Sequence, residues 1–300
     1  MERYALEVYM EKLQGEKLML YHNCTRETGL KVIGNVAYDS NKTTPNTLFV
    51  CKGAGFKEVY LDAAAQSGAV AYISEKDYHR ELPCIIVNDV KKALALVAEI
   101  YYNYPAMKLK LIGITGTKGK STTAYYVKYI LDELLREQDK PETGIISSNN
   151  TYDGVTYEES HLTTPESLEL QMHFNNAVNS GLQYMVMETS SQALKYGRVH
   201  GIEYDIGVFL NISEDHISPI EHSDMEDYFS AKLAIFGNCK TACVNMESER
   251  FPEVMEAARA AGKVLTFGIN DAADIYGYNL RKQGFNTHFQ VRCDRFDREF

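Results

Sequence analysis

Apolar and polar positions alternate along this chain in two different rhythms. In the first hundred residues, short β-branched runs read as strands: "TLFVCKG" (47–53), "AVAYIS" (69–74) and "PCIIVND" (83–89). Between them "YLDAAAQSG" (60–68) reads as a helix stopped by a glycine. "DVKKALALVAEIYYNYP" (89–105) reads as a helix with an aspartate N-cap and a proline beyond its end. Past "PAMKLK" (105–110) the alternation grows more regular. "LKLIGITG" (109–116), "QYMVME" (183–188), "DIGVFLNI" (205–212), "TACVN" (241–245) and "KVLTFG" (263–268) are apolar enough for burial on both faces, with helical text between most of them. This predicts an α/β protein of two domains, residues 1–107 and 108–300. The second domain is expected to be a mostly parallel sheet with helices on both faces. After Gly268 the text becomes polar and β-rich, enough for a hairpin or two. It stops at "CDRFDREF" without a closing element, so the chain reads as part of a longer protein.

Two helices of the second domain are predicted in more detail. One runs from about Thr122 to Arg136, with Val127, Ile130, Leu131, Leu134 and Leu135 as its apolar face. The other begins near residue 224, where Ser223 and Glu226 have capping-box spacing. Its stripe passes through Met225, Tyr228, Phe229, Leu233 and Phe236, and Lys232 stands on the same stripe. Such a lysine either packs its stem and sends its amine to water, or is desolvated with a lowered pKa. In the second case the neutral amine can take up CO₂ as a metal-ligating carbamate.

Composition narrows the function classes. The chain has 31 basic and 41 acidic residues, a net charge of −10, which argues against a nucleic-acid or anionic-membrane surface as main partner. Six cysteines without a CxxC pair suit reduced thiols. "MERYALEVYMEKLQ" mixes charges through every turn and is no secretory signal, and no apolar run is long enough to cross a bilayer. The expectation is a cytoplasmic monomer that binds neither nucleic acid nor membrane.

The chemistry centres on "GITGTKGKST" (113–122), a glycine-rich turn between a predicted strand and a predicted helix. Such a turn directs backbone N–H groups and the positive helix end at a phosphate. Gly116, Thr117, Lys118, Gly119, Lys120, Ser121 and Thr122 are the nucleotide-binding candidates; Lys120 can reach the β/γ phosphates and Ser121 can hold Mg²⁺. Glu188 ends an apolar strand, where it is either a solvated acid or a magnesium-binding carboxylate facing the same crevice. His216, just beyond another strand, is either a loop residue or a metal or phosphate ligand. Thr163, Thr164, Ser190 and Arg198 could hold an anionic or sugar-like substrate; alternatively Thr164 and Ser167 open a helix and Arg198 is a surface charge.

Together these segments resemble the Mur ligase family, the ATP-dependent amide-bond ligases of peptidoglycan precursor synthesis. "TGTKGKST" is similar to that family's TGTNGKT/S loop. "METSSQALKYGRV", "VFLNISEDHI" and "DMEDYFSAK" follow the order of its central ATPase domain, and "YDSNKTTPNTLFVCKG" is similar to its uridine-nucleotide-binding N-terminal domain. "LTTPES" points to the branch that adds the third stem residue. The resemblance implies Lys120 on ATP phosphates, Ser121 and Glu188 on one Mg²⁺, and His216 with a carbamylated Lys232 on a second, with Lys120, Lys232 and His216 serving catalysis. It places Ser40, Thr163, Thr164, Ser190 and Arg198 on UDP-MurNAc-L-Ala-D-Glu. It implies ligation of a free amino acid through an acyl phosphate. "CKGAGFKEVYL" and "GTKGK" favour L-lysine over meso-diaminopimelate. Lys118 stands where the family has asparagine, and Asn41 where its DSR motif has arginine. The third, C-terminal ligase domain has no counterpart before residue 300. Rival readings are a folylpolyglutamate synthase-like ligase, a motor-type phosphate-loop NTPase and a non-catalytic nucleotide-binding fragment.

Overall fold

The computed structural model describes residues 2–53, 55–215, 217–218 and 221–300. They form two compact units. The first unit comprises Met1–Lys108, Pro165–Asn175 and Tyr196–Gly201. The last two segments fall in text that the sequence pattern assigned wholly to the second domain.

The first unit is built on five strands: β1 (Met19–His22), β2 (Asn35–Ala37), β3 (Thr47–Val50), β4 (Ala69–Ser74) and β5 (Cys84–Val87), in the order β1-β5-β4-β3-β2. Only β1 runs antiparallel to its neighbour. Along β3 the side chains alternate as the pleat requires. Leu48 and Val50 enter a core with α1 (Leu6–Gly15) and α4 (Val90–Tyr101), while Phe49 packs with Leu61 and Ala64 of α3 (Glu58–Gln66) on the opposite face. Asp89 caps α4 by accepting from Lys91 N and Lys92 N, the N-cap expected from the sequence. The four-residue helix α2 (Arg26–Gly29) completes the early part of this unit.

The second unit holds an eleven-stranded sheet. Its strands are β6 (Lys110–Thr115), β7 (Gly144–Ile146), β8 (Asn150–Tyr152), β9 (Tyr157–Glu159), β10 (Tyr184–Glu188), β11 (Tyr204–Phe209), β12 (Cys239–Asn245), β13 (Lys263–Gly268), β14 (Ile275–Gln283), β15 (Asn286–Arg292) and β16 (Asp297–Glu299). The order is β16-β15-β14-β13-β12-β11-β6-β10-β7-β8-β9, parallel from β14 to β7 and antiparallel at both margins. This is the expected mostly parallel sheet, and the hairpins after Gly268 extend its edge. The short strands β7, β8 and β9 lie in polar text whose periodicity gave no strand signal.

Helices cover both faces of the central strands. Val208 and Leu210 pack with Ala124 of α5 (Lys120–Arg136) on one face. Phe209 points the other way, stacked 6.0 Å from Phe236 and edge-on to Phe229 of α8 (Met225–Leu233). The remaining helices are α6 (Ser167–Asn179), α7 (Ser191–Lys195) and α9 (Phe251–Ala258). Two expectations for α5 change. It begins at Lys120, because Gly119 at φ 84° supplies the left-handed N-cap and the chain turns helical immediately. Its buried line is also narrower than predicted: Ala124 and Leu135 are buried and Val127 and Leu131 partly so, whereas Ile130 is 67% exposed and Leu134 48%. One flat sheet beneath a helix covers a single stripe, and Ile130 and Leu134 fall beside it. Helix α8 begins where expected, but its cap is shifted by one residue: Asp224 accepts from Asp227 N, and Asp227 Oδ2 accepts in return from Ser223 N.

Close packing in the middle of the sheet sets the position of β6. Gly113 lies beneath the fully buried Tyr204, and a Cβ there would meet the ring at 2.6 Å. Gly113→Ala should lower stability by about 1–3 kcal/mol through overpacking. Urea unfolding checks this, as a lower midpoint at unchanged slope.

Candidate active site

The carboxyl ends of three adjacent parallel strands build the site. Glu188 of β10 pairs with Ile114 of β6, Phe209 of β11 pairs with Thr115, and the chain leaves all three strands at the same edge. Crevices outside such ends are where ligands gather in open parallel sheets.

The glycine loop is held in place before any ligand arrives. Gly116 adopts φ 155°, and a Cβ there would press Leu210 Cβ at 2.9 Å, so the residue has no room for a side chain. Asn211 clamps the loop from β11: its Oδ1 accepts from Thr117 N at 3.1 Å and Lys118 N at 2.9 Å, and its Nδ2 donates to Lys118 O at 3.0 Å. The Thr117 hydroxyl is fixed by Ser213 N at 3.1 Å and by the Tyr228 hydroxyl at 3.2 Å. Two of the loop's N–H groups are therefore spent on structure. Those of Lys120, Ser121 and Thr122, in the first turn of α5, have no backbone acceptor among the described residues. An anion at a helix N-terminus takes up such donors. The Lys118 side chain is exposed.

Two lysines converge on one carbonyl. Lys120 Nζ donates to Gly116 O at 3.0 Å and to Thr117 O at 3.1 Å, and Lys232 Nζ donates to Gly116 O at 2.8 Å. Lys232 is 2% exposed, so the snorkelling alternative is excluded. Its amine stands 4.5 Å over the Tyr228 ring. Burial pushes its pKa down to about 7; the neighbouring Lys120 charge lowers it further, against an opposing pull from Asp215. Burial also lowers the Lys120 pKa, with Glu188 and Asp215 opposing. The site thus concentrates positive charge where a polyphosphate would need it, at a cost in desolvation.

Glu188 is 1% exposed and is oriented by Ser148, whose N donates at 2.8 Å and whose hydroxyl donates at 3.3 Å. Thr163 Oγ1 lies 3.0 Å from the Ser148 hydroxyl. Buried Thr164 donates to Glu188 O at 2.9 Å and accepts from Ser190 N at 3.0 Å, while Ser190 Oγ accepts from Ala193 N at the start of α7. Thr163, Thr164 and Ser190 are therefore gathered around the strand-end carboxylate. Ser40 and Arg198 belong to the first unit. Ser40 opens a short turn capped by Asp39; Asp39 and Lys42 line a cleft of about 180 Å³ with Asn35, Tyr38, Tyr102 and Glu169. Arg198 Nε pairs with Glu166 at 3.0 Å, and Lys52 pairs with the same carboxylate. His216 lies outside the described residues. Pattern reading missed Asn211, Ser148, Asp215 and Tyr228, which act on the site through contacts remote in sequence; of these, Asn211 alone carried a signal, as a polar residue just past an apolar strand.

The depressed Lys232 pKa has a stability consequence. Between about pH 7 and the unfolded lysine value of about 10.5 the folded state binds fewer protons than the unfolded state, so stability rises with pH across that window. Lys232→Met should therefore raise the melting temperature most at or below pH 7, and the gain should shrink as pH approaches 10. Melting curves of both proteins across this range check it.

The sequence profile of the Mur ligase middle domain matches residues 114–298. A UDP-N-acetylmuramoyl-L-alanyl-D-glutamate–L-lysine ligase of Enterococcus faecalis is 46% identical over 235 residues, 77% of this chain and 45% of that protein. Among solved structures, a UDP-N-acetylmuramoyl-L-alanyl-D-glutamate–2,6-diaminopimelate ligase superposes with a TM-score of 0.81 at 20% identity, covering 99% of this chain and 59% of that one. A MurF ligase from Thermotoga maritima in complex with ADP superposes with a TM-score of 0.57 at 21% identity, covering 88% and 57%. The chain thus spans about half the length of the curated relatives it matches. With a glycine loop, strand-end carboxylate and buried lysine in one crevice, and nearly half its aligned residues shared with the Enterococcus protein, this chain belongs to the Mur ligase family.

Proposed function

We propose that this chain is the substrate- and nucleotide-binding part of an ATP-dependent ligase that joins L-lysine to the D-glutamate γ-carboxylate of UDP-MurNAc-L-Ala-D-Glu in peptidoglycan precursor synthesis. The observation that carries the reading is the convergence of Lys120 and Lys232 on Gly116 O beside Glu188. The names of relatives at 43–46% identity, UDP-N-acetylmuramoyl-L-alanyl-D-glutamate–L-lysine ligases, support this substrate and favour lysine over diaminopimelate. On this reading residues 1–107 hold the uridine nucleotide and residues 108–300 hold ATP, with Ser40 and Arg198 among the contacts to the UDP-muramoyl peptide. Thr163 and Ser190 contact the muramoyl peptide, and buried Thr164, its hydroxyl shared between Glu188 O and Ser190 N, holds the turn beneath them. The enzyme works as a cytoplasmic monomer, in keeping with its six free cysteines.

The physical difficulty of the reaction is that a carboxylate must approach a triphosphate. The N–H groups of Lys120, Ser121 and Thr122 donate to the phosphate oxygens, and the Lys120 ammonium leaves its two loop carbonyls for the β/γ oxygens. With charge neutralised there, the γ-phosphoryl group passes from ATP to the D-glutamate γ-carboxylate with release of ADP, and the lysine amine then displaces phosphate from the acyl phosphate and loses a proton.

The residues present fit Mg²⁺. Glu188 is a buried carboxylate held ready by Ser148, and Ser121 lies in the first turn of α5. Among the described residues no group of three or more His, Cys, Asp or Glu side chains could hold a metal. Ser121 and Glu188 would hold one ion, and His216 with a carbamylated Lys232 a second. Bound there, Mg²⁺ offsets the charge developing on the transferred phosphoryl group. The neutral Lys232 amine forms an N–C bond to CO₂ and releases a proton, which leaves a carbamate anion.

At its relatives' full length, the protein should release phosphate from ATP only when UDP-MurNAc-L-Ala-D-Glu and an amino acid are both present, with L-lysine the best of a panel including meso-diaminopimelate. Turnover needing neither substrate would contradict the ligase reading. With ¹³C-bicarbonate, NMR should show one carbamate resonance that is absent from Lys232→Met.

A further inference from the structure

His222 takes no part in the chemistry above, yet it is completely buried, in the segment just before α8. Its Nε2 lies 3.0 Å from Ser191 Oγ. Its Nδ1 lies 3.3 Å from Asp227 Oδ2, at an angle that leaves it without a full hydrogen bond. Asp227 is itself fixed by Lys195 Nζ at 2.5 Å and Ser223 N at 3.0 Å. The imidazole meets Tyr228 edge-on, with centroids 5.1 Å apart. Tyr228 in turn reaches Thr117 of the nucleotide loop through its hydroxyl and carries the Lys232 amine over its ring. One side chain therefore touches the segment that follows Glu188, the first turn of α8, and the tyrosine that joins loop to lysine.

The network also sets where the imidazole proton sits. Burial lowers the His222 pKa, with Asp227 opposing, so the ring is neutral near pH 7 and carries one proton. Asp227 stays ionised, held down to about 2 chiefly by its hydrogen bond from Lys195. A lone pair on Nδ1 facing that carboxylate would be repelled, whereas an Nδ1–H is attracted to it. Nε2 is then the acceptor of the Ser191 hydroxyl, since the bond at one ring nitrogen decides the state of the other.

We propose that His222 is a positioning residue of the ligase site, protonated on Nδ1 toward Asp227 and accepting the Ser191 hydroxyl on Nε2, so that the turn after Glu188, helix α8 and the nucleotide loop keep one relative geometry. The proposal rests on the functional reading above for its consequence in binding, but not for its proton placement.

Two measurements on this chain test it. In ¹⁵N imidazole spectra of the wild type at pH 7, His222 should be neutral with Nδ1 protonated; an imidazolium or an Nε2–H tautomer overturns the proposal. In calorimetry with UDP-MurNAc-L-Ala-D-Glu, His222→Phe, which fills the space without either nitrogen, should weaken binding about tenfold, the scale of one buried hydrogen bond. His222→Gln, whose amide can still meet Ser191, should recover most of that loss. Ser191→Ala added to His222→Phe should cost little more, because the two share one interaction. Wild-type affinity in a folded His222→Phe, or no recovery in a folded His222→Gln, overturns the positioning role. Absence of muramoyl-peptide binding in the wild type instead contradicts the functional reading, and the tautomer then decides the proposal alone.

Discussion

The Gly116 carbonyl oxygen, accepting from the ammonium groups of both Lys120 and Lys232, is the interaction on which the rest of the site depends. Two like charges directed at one acceptor in a buried pocket are unfavourable alone. Burial lowers the pKa of each lysine, and the Lys120 charge lowers that of Lys232 further; Asp215 opposes at both and Glu188 at Lys120, without restoring the ordinary value. A polyanion entering the loop relieves the strain by giving Lys120 a better partner, so the crevice is prepared for phosphate in the way electrostatically preorganised sites are.

That preparation comes from the sheet. Parallel neighbours β10, β6 and β11 end in register, so the residues just past them share one rim. Asn211, fixed past β11, uses its whole amide on the backbone of Thr117 and Lys118. Gly116 cannot carry a Cβ against Leu210, and Gly119 turns the chain into α5 with a positive φ. A loop so constrained keeps its free N–H groups in the first helical turn, where the helix dipole adds to them.

Much of this was legible in the sequence, for identifiable reasons. Apolar runs long enough for burial on both faces marked β6, β10 and β11, and strand-loop-helix order marked the phosphate site. Glu188 was visible because an acid ending an apolar strand is conspicuous. Lys232 was visible as an anomaly only: its place on the apolar stripe fitted both a snorkelling and a desolvated lysine. What separates them is the Gly116 carbonyl, remote in sequence. Asn211, Ser148, Tyr228 and His222 could not be found by periodicity, since each acts through a partner that only folding brings near. The wide apolar face expected for α5 was wrong at Ile130 and Leu134 because a pattern counts apolar residues without knowing the width of the surface beneath. The first unit's recruitment of Pro165–Asn175 and Tyr196–Gly201 was likewise invisible to a reading that divides a chain at one point.

The central claim is that the loop after β6 is a phosphate site served by Lys120. Calorimetric titration of a non-hydrolysable ATP analogue with Mg²⁺ into the wild type and into Lys120→Met tests it most directly. The account predicts binding to the wild type and a loss of about tenfold or more in the variant, as for a charge-assisted hydrogen bond removed from a buried anion. Equal affinity in the two proteins, with both folded, would contradict it.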